Sequence, residues 1–292
     1  MNRIAVLADI HGNVPALEAI VADIEQLDLD EVLVGGDLVG RGPQGTAVVQ
    51  RIRSLGWPSV RGNHEDYLLN FIKKTVPEEW LEEDIWAASR WMANELDADS
   101  TQYIDALPFS FTSDVDLPFL LVHGSPIRNN DGIGPWTSDE KCEQYLDGIA
   151  EDALVCGHTH RPHHREVPGG VIVNVGSAGL PFNGDWRAQY AILHRDNAQS
   201  PWQVEFRKAE YDREAFLQTY EKSGFLEQGM MTSHLLKIEV ETARPHLVPY
   251  LRWAQNQSLD TTYESMDAFL DWYDPTLPLK TLLKKLENPE AK

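Results

Sequence analysis

The amino-acid sequence predicts an α/β protein in which two packed sheets carry helices on their outer faces. Three observations lead to this prediction. The 292-residue chain contains short, fully apolar segments of strand length that are bounded by polar turns. In the first half these segments alternate with stretches of helical periodicity, which is typical of βαβ units and a mostly parallel sheet. In the second half the strand-like segments follow one another closely, which indicates a second sheet.

The first half contains three predicted strands and three predicted helices in alternation. The first two strands are short apolar runs, the third is a short segment around Val60, and the helices have apolar residues at helical spacing. Pro15 is compatible with the first turn of the first helix, because that position needs no backbone donor. The predicted strands cover residues 4–8, 32–34 and 59–61, and the predicted helices cover residues 14–27, 46–55 and 65–74.

A tryptophan-bearing amphipathic segment follows, and we expect a helical insert over about residues 77–105. The clearest later strands cover residues 119–122, 153–155, 171–173, 189–193 and 203–206. We predict a core of residues 1–210 and a mostly helical C-terminal subdomain of residues 211–292. Helical stretches in that subdomain cover residues 214–222, 245–255 and 265–272, whereas residues 234–241 are left open, with a strand as one interpretation.

Composition and charge exclude several classes of protein. The chain has 25 Lys and Arg against 46 Asp and Glu, and the resulting net charge of −21 repels the phosphates of a nucleic-acid polymer. The 2 cysteines cannot build a disulfide framework, which fits a reducing compartment. The apolar run near the start is too short for a signal peptide, and no later run approaches ~20 apolar residues. We therefore expect a soluble, cytoplasmic protein with no membrane partner.

Side chains suited to metal binding follow five of the strand-like runs, at the point where each run ends. Because ligands bind at the carboxyl ends of strands in open α/β sheets, we expect these side chains to meet at one edge. Glycines beside them permit close approach of the backbone. The candidate ligands are Asp9, His11, Asp37, Asn63, His123, His158 and His160.

The seven candidates form a mixed set of oxygen and nitrogen donors without a thiolate. Such a set suits manganese, iron, cobalt or zinc better than a structural zinc site, which usually has cysteine ligands. Seven ligands are too many for one tetrahedral ion and about right for two ions that share a carboxylate. Two divalent ions about 3.5–4 Å apart can bind a phosphoryl group and activate a water near neutral pH. They would also reverse the local electric field of this acidic protein.

These blocks, in this order, resemble the five-block signature of the calcineurin-like metallophosphoesterase superfamily. The resemblance covers roughly residues 3–195, and the blocks are Asp9-x-His11, Gly36-Asp37, Gly62-Asn63-His64-Glu65, His123 and Gly157-His158-Thr159-His160. It implies a four-layer αββα sandwich, to which this chain adds its mostly helical C-terminal extension. It also implies a metal-dependent phosphatase or phosphodiesterase with two divalent ions, manganese first, and iron, zinc, cobalt or nickel as alternatives.

The resemblance further implies a role for each site residue. One ion would be bound by Asp9, His11, Asp37 and His160, and the other by Asp37, Asn63, His123 and His158, with Asp37 as the bridge. A hydroxide that bridges the two ions would attack the phosphorus. His64 would lie beside the leaving-group oxygen, where a cationic imidazole stabilises or protonates the departing alkoxide.

Residues 36–43 resemble the arginine block shared by Ser/Thr phosphoprotein phosphatases and symmetrical diadenosine tetraphosphatases. The planar guanidinium of Arg41 can bind two phosphate oxygens at once, so Arg41 joins His64 as a candidate catalytic residue. Gly40 stands where the phosphoprotein phosphatases have an aspartate that orients the histidine, which leaves Glu65 or Asp66 as a substitute.

The blocks around His123 and His158 are typical of the broad bacterial, phosphodiesterase-like branch, so the motifs leave the substrate class open. The first hypothesis is hydrolysis of small phosphate mono- or diesters, with a small ester or nucleotide as substrate and a homo-oligomer left open. The arginine block favours a dinucleoside-polyphosphate hydrolase as the alternative. A third hypothesis is a non-catalytic protein-binding scaffold, as in the retromer coat, although such members have lost metal ligands that are intact here.

Overall fold

The computed structural model describes residues 2–113, 118–197 and 199–287, and within them two β-sheets lie between layers of helices. One sheet has four strands and the other has five. The strands are β1 (Asn2–Leu7), β2 (Glu31–Val34), β3 (Ser110–Thr112), β4 (Leu120–Val122), β5 (Ala153–Cys156), β6 (His163–Val167), β7 (Gly170–Asn174), β8 (Ala188–Arg195) and β9 (Gln203–Ala209).

Helices flank both sheets and continue through the C-terminal region. They are α1 (Val14–Ile24), α2 (Gly45–Leu55), α3 (Asn63–Ile72), α4 (Ala87–Glu95), α5 (Ala98–Ala106), α6 (Asp139–Asp147), α7 (Arg213–Lys222), α8 (Phe225–Gln228), α9 (Met230–Thr242), α10 (Leu247–Asn256), α11 (Tyr263–Trp272) and α12 (Leu279–Glu287). Short 3₁₀ turns at Glu78–Leu81 and Asp84–Trp86 precede α4. No helix in the described ranges combines the length and apolar character that crossing a membrane requires.

Both sheets are mixed, so the prediction of a mostly parallel sheet is wrong for the complete sheets, although each of them contains parallel pairs. The first sheet has the order β2-β1-β8-β9, with β1 parallel to β2 and antiparallel to β8. The second has the order β3-β4-β5-β7-β6, in which β5 is parallel to both of its neighbours. The antiparallel pairs arise because β6–β7 and β8–β9 are consecutive strands joined by short connections.

Strand side chains alternate between two core layers, which explains the continuous apolar runs of the sequence. In β1, Val6 lies in the core between the sheets, whereas Leu7 belongs to the core under the helices of the first sheet. In β5, Val155 faces the other sheet and Cys156 packs with residues of α6. The resulting order of layers, helix–sheet–sheet–helix, confirms the four-layer αββα sandwich.

Three segments differ from or complete the sequence predictions. Residues 59–61 are not a strand, because they form only an isolated bridge to β2 before the backbone of Arg61 turns to Pro108. Residues 234–241 belong to the helix α9, and not to a strand. The segment over residues 77–105 contains the two 3₁₀ turns, α4 and most of α5.

The C-terminal helices pack in two places. Phe216 of α7 and Phe225 of α8 belong to the core under the first sheet. Helices α9–α12 surround a separate aromatic core that contains Tyr250, Trp253 and Phe269. The C-terminal region is therefore helical, as expected, whereas a subdomain boundary at residue 211 stays a prediction.

Candidate metal centre

All seven predicted ligands meet at one edge of the sandwich. Asp9 and His11 follow β1, Asp37 follows β2, Asn63 begins α3, His123 follows β4, and His158 and His160 follow β5. Three groups have ligand atoms that lie within 4.8 Å of one another: Asp9, His11 and His160; His11, Asp37 and His64; and Asp37, His123 and His158. His11 and Asp37 each belong to two of these groups, so their side chains connect the three groups.

Asp9 is fully buried among imidazoles. Its Oδ1 atom lies 3.3 Å from His160 Nε2 and 3.8 Å from His11 Nε2, and it has no hydrogen-bond partner among the described residues. Its Oδ2 atom accepts a hydrogen bond from the backbone N–H of His158 at 2.9 Å. A buried carboxylate oxygen without a donor is costly, so Oδ1 has the property expected of an atom that binds a cation.

Asp37 lies at the centre of the cluster. Its Oδ2 atom is 3.2 Å from His123 Nε2 and 3.7 Å from His11 Nε2, while its Oδ1 atom accepts a hydrogen bond from the backbone N–H of His64 at 2.8 Å. The amide oxygen of Asn63 lies 3.0 Å from His123 Nε2. Ligand atoms from four separate loops thus converge around one carboxylate.

Backbone carbonyls fix the tautomer of three of the imidazoles. The Nδ1 atoms of His11, His123 and His160 lie 3.1, 2.7 and 2.5 Å from the carbonyl oxygens of Val39, Gly35 and Leu180. A carbonyl can only accept, so each Nδ1 carries a proton, and a ring that has no second proton presents its lone pair at Nε2. This second contact, which orients the ligating nitrogen, is common at metal sites.

Five of the candidate ligands adopt left-handed backbone conformations, which are uncommon for residues other than glycine. The φ angles are 57° for Asp9, 51° for His11, 53° for Asp37, 67° for His158 and 57° for His160. Each such residue costs on the order of 1–3 kcal/mol and persists only where the surroundings enforce it. Here hydrogen bonds between loops enforce it, such as that from His11 N to Asp37 O at 3.0 Å.

Two glycines leave the space that the carboxylates occupy. A Cβ atom on Gly62 would lie 2.1 Å from Asp37 Oδ1, and one on Gly157 would lie 2.5 Å from Asp9 Oδ2. Any side chain at these positions would displace the carboxylates, which explains the glycines beside Asn63 and His158 in the sequence.

The electrostatics of the cluster favour positive charge. Burial opposes the charged form of His123, but Asp37, Asp9 and the Gly35 carbonyl outweigh it and raise the pKa of His123 to about 10. Burial and the neighbouring His123 lower the pKa of His158 to about 4, so that this ring is neutral at pH 7. The carboxylates thus hold a positive charge on His123 in the free protein. A divalent ion that displaced this proton would meet imidazole and carboxylate donors, and this donor set fits divalent metal ions.

Arg41 and His64, the predicted catalytic pair, are in contact beside the cluster. Arg41 Nε donates to His64 Nε2 at 3.3 Å, and Arg41 Nη1 donates to Glu239 Oε2 at 2.6 Å. Burial lowers the pKa of His64 to about 3, an effect that Arg41 increases and Asp37 opposes. The imidazole is therefore neutral in the free protein, as its acceptor role toward Arg41 requires.

Neither Glu65 nor Asp66 orients His64, so both suggested substitutes for the missing aspartate are wrong. Glu65 is buried and accepts hydrogen bonds from backbone N–H groups of residues 37–39 and 62, at 2.6–3.3 Å. It thereby fixes the loop that carries Asp37. Asp66 instead accepts a hydrogen bond from Asn129 at 2.6 Å. Contact with Arg41 positions the His64 ring.

An open cleft of about 570 Å³ leads to the cluster, and the C-terminal helices form one of its walls. Glu239 of α9 and Arg252 of α10 line it, together with Phe182 and Arg161. No motif distinguishes Glu239, Arg252 or Phe182 in the sequence, and only the tertiary fold brings them to the site. Arg161, which directly follows the His158 block, also lies in the cleft wall, whereas Asn13 caps α1.

The fold and the site together define a class of protein, the α/β hydrolytic metalloenzymes with a mixed histidine and carboxylate centre. The chain belongs to the calcineurin-like phosphoesterase superfamily, whose domain profile matches residues 2–198. An uncharacterised protein of Methanocaldococcus jannaschii is 25% identical over 229 residues, which are 72% of this chain and 88% of that protein. The resemblance drawn from the sequence is thus confirmed.

Relatives with an assigned activity match over a shorter region. A symmetrical bis(5'-nucleosyl)-tetraphosphatase of Shewanella baltica is 33% identical over 100 residues, which are 30% of this chain and 36% of that protein. The family and its phosphatase-named relatives support an enzyme that hydrolyses phosphate esters, and the family implies divalent metal ions.

Solved structures agree with the fold. A metallophosphoesterase of Sphaerobacter thermophilus superposes with a TM-score of 0.64 at 26% identity, over 82% of this chain and 99% of that chain. A hypothetical protein of Pyrococcus horikoshii OT3 gives a TM-score of 0.67 at 23% identity, over 79% of this chain and 97% of that chain. The second likeness shows the fold alone.

Proposed function

We propose that this phosphoesterase uses two divalent metal ions to hydrolyse small phosphate mono- or diesters. The observation that carries the proposal is the buried Asp9 Oδ1 atom, which has no hydrogen-bond donor and lies among imidazole Nε2 atoms. A hydrogen-bonding or structural role would give this oxygen a donor. A cation is the partner that satisfies both the carboxylate and the imidazole lone pairs.

The ligand assignment follows the family resemblance, with one ion assigned to Asp9, His11, Asp37 and His160, and the other to Asp37, Asn63, His123 and His158. The spatial groups Asp9–His11–His160 and Asp37–His123–His158 support it, as does the contact between Asn63 and His123. Manganese is the proposed metal, with iron, zinc, cobalt or nickel as alternatives that the donor set also suits. When bound, two such ions polarise the phosphoryl group and lower the pKa of water to near neutral.

Arg41 and His64 act on the substrate from one side of the cluster. Glu239 holds one guanidinium nitrogen and His64 contacts another, so the guanidinium plane is fixed before substrate arrives. Its remaining N–H groups are available for non-bridging phosphate oxygens. His64 is neutral in the free protein, and a bound phosphate dianion beside it favours its protonation, so that it can supply a proton to the leaving oxygen.

Hydrolysis assays test this proposal directly. We expect the Mn²⁺-supplemented protein to release nitrophenol from p-nitrophenyl phosphate or from its bis-ester, and Asp37→Ala and chelation each to abolish this release. Asp267→Ala makes the same substitution at an exposed position of α11 and serves as the matched control, with activity retained. Nitrophenol release that Asp37→Ala and chelation both leave unchanged would refute the proposal.

A dinucleoside-polyphosphate hydrolase is the second candidate. It is favoured by the cleft, because Arg161 and Arg252 extend the positive charge of Arg41 beyond the space that one phosphate needs. The partial likeness to symmetrical tetraphosphatases agrees with it. Product analysis with diadenosine tetraphosphate tests it: we expect two molecules of ADP, and turnover no faster than the background rate would remove this candidate.

A further inference from the structure

A second cavity opens from the cleft on the far side of His64. It has a volume of about 270 Å³ and lies between α3, α4 and α9. Arg41, His64, Tyr67, Trp86 and Ser89 line both the cavity and the cleft, so the two spaces are continuous. Four predicted metal ligands line the cleft (Asp37, Asn63, His158 and His160), and none of the seven lines the cavity, which places His64 between the predicted metal centre and this cavity.

The lining of the cavity is apolar and largely aromatic. Its wall includes Phe71, Trp80, Trp86, Met92 and Leu236, beside the uncharged polar side chains of Asn70, Ser89 and Thr232. Among the described residues of the lining, Arg41 and His64 are the only ionisable groups apart from the Tyr67 phenol. A charged group inside would lose its hydration with few donors to replace it, so a second phosphate or a carboxylate is excluded from its interior. The occupant that the lining fits is uncharged.

Three of the aromatic side chains pack on one another in a single cluster. The rings of Trp80 and Trp86 stack at a centroid distance of 3.9 Å with planes 19° apart, and Phe71 lies 6.1 Å from Trp86 and 6.4 Å from Trp80. Rings arranged in this way contact a further planar ring by offset stacking or edge-to-face packing, which adds about 0.5–1.5 kcal/mol to the burial of its area. Since an apolar cavity of about 150 Å³ holds benzene, the space here suffices for one or two fused rings.

We infer that this cavity binds a planar aromatic ring on the leaving-group side of the ester, and that it selects aromatic over aliphatic phosphate esters. The inference rests on the proposed function, because it needs a phosphoryl group at the metal centre and the leaving oxygen beside His64. With the phosphate there, the departing group extends past His64 into the aromatic cavity. An aryl ester and a nucleotide base offer the same planar ring, and the experiment distinguishes them.

Calorimetric titration of the Mn²⁺-loaded protein with non-hydrolysable ligands tests the inference independently of turnover. We expect 1-naphthylmethylphosphonate to bind about 10- to 100-fold more tightly than methylphosphonate, as burial of an aromatic ring predicts. Ser89→Phe fills the cavity from α4 and should bring this ratio close to one. Ser89→Ala keeps the cavity open and should retain the ratio, which makes it the matched control.

A second ligand pair identifies the source of the ring. If a nucleotide base enters the cavity, adenosine 5'-monophosphate should bind more tightly than ribose 5-phosphate, and Ser89→Phe should remove that difference. If only aryl esters enter, the two nucleotide-derived ligands should bind alike while the naphthyl preference persists. Both outcomes support an aromatic site.

Thermal melting checks that Ser89→Phe folds, and Ser89→Leu is the smaller replacement if it does not. Equal affinities of the two phosphonates for the native protein would overturn the inference, as would a naphthyl preference that the folded filling variant leaves unchanged. Release of nitrophenol from p-nitrophenyl phosphate in the same preparation separates the two proposals: activity with equal affinities refutes the aromatic site alone, whereas no activity refutes the proposed function.

Discussion

Asp9 and Asp23 both lie next to the first sheet, but their carboxylates have very different surroundings. Asp9, at the edge with the predicted metal centre, is fully buried with one oxygen that lacks a donor. Asp23, in α1 on the outer face, accepts hydrogen bonds from Arg207 at 2.9 and 3.0 Å and from the Tyr190 hydroxyl at 2.6 Å. The chain itself supplies donors to both oxygens of Asp23, whereas the described residues supply none to Asp9 Oδ1.

The backbone shows the same contrast. Asp23 lies within a regular helix, whereas Asp9 and His11 hold left-handed conformations that the neighbouring loops enforce. The buried Asp9 oxygen without a donor and the left-handed backbone conformations both reduce stability. The packing of the αββα core compensates for this cost elsewhere. The comparison therefore separates residues that stabilise the fold from residues whose cost is explained by binding a cation.

The largest expected effect comes from Asp9→Asn. We expect activity to fall about a thousandfold or more, because the loss of a metal ligand removes several kcal/mol of transition-state stabilisation. In the presence of a chelator, we expect the free energy of unfolding to stay the same or rise, since the substitution removes a buried charge that lacks a donor. Assays with p-nitrophenyl phosphate and urea unfolding measure the two quantities. A marked loss of stability in the chelated protein would assign Asp9 a structural role instead.

Arg41 belongs to both classes of residue, those that serve binding and those that stabilise the fold, because it faces the cleft and also neutralises the buried Glu239. We expect Arg41→Ala to reduce activity and to destabilise the protein by about 3 kcal/mol, since it leaves the Glu239 carboxylate buried and unpaired. Adding Glu239→Gln should restore most of the stability and none of the activity. Urea unfolding of the single and double variants completes the cycle, and a double variant as unstable as Arg41→Ala would show that the ion pair is not the cause.

Removal of the metal should distinguish the region of Asp9 from the region of Asp23. Binding only to the folded state stabilises by about 2.7 kcal/mol when the free metal is 100-fold above its dissociation constant. We therefore expect a chelator to lower the melting temperature of the native protein and of Asp23→Asn alike. The melting temperature of Asp9→Asn should change much less, and an equal shift in all three proteins would argue against a metal bound by Asp9.

The sequence predicted the residues of the metal edge well because their signal is local. Asp9 and His11 directly follow a strand, and the carboxyl ends of neighbouring strands share one edge, so chain order alone placed them together. The same reasoning placed the outer helices, whose apolar periodicity is strong. The prediction of a strand at residues 59–61 was wrong, because a short strand-like segment does not show whether a partner strand is long enough to pair with it.

The cleft wall could not be predicted, because its residues acquire their role only through long-range packing. Glu239 lies 198 positions after Arg41 in the chain and has no motif around it. Phe182 stacks on the His160 ring at a centroid distance of 4.4 Å, yet its neighbours in the sequence are ordinary turn residues. The orientation of His64 was also missed, since Glu65 is adjacent in sequence but points to the backbone of the Asp37 loop.

Asp23→Asn gives the smallest expected effect. Its pattern is the opposite of that expected for Asp9→Asn, which loses activity and keeps its stability. We expect full activity and a loss of about 1 kcal/mol of stability, because Asp23 and Arg207 remain 26% and 27% exposed and solvent screens the pair. Hydrogen bonds from Arg207, opposed by burial and aided by Tyr190, lower the pKa of Asp23. Its contribution is therefore present above the unfolded-state pKa of about 3.9 and disappears as the pH falls through the lower, folded-state value. Urea unfolding from pH 7 to pH 3 should show native protein and variant converging only below about pH 4, whereas a pH-independent difference would assign the loss to packing rather than charge.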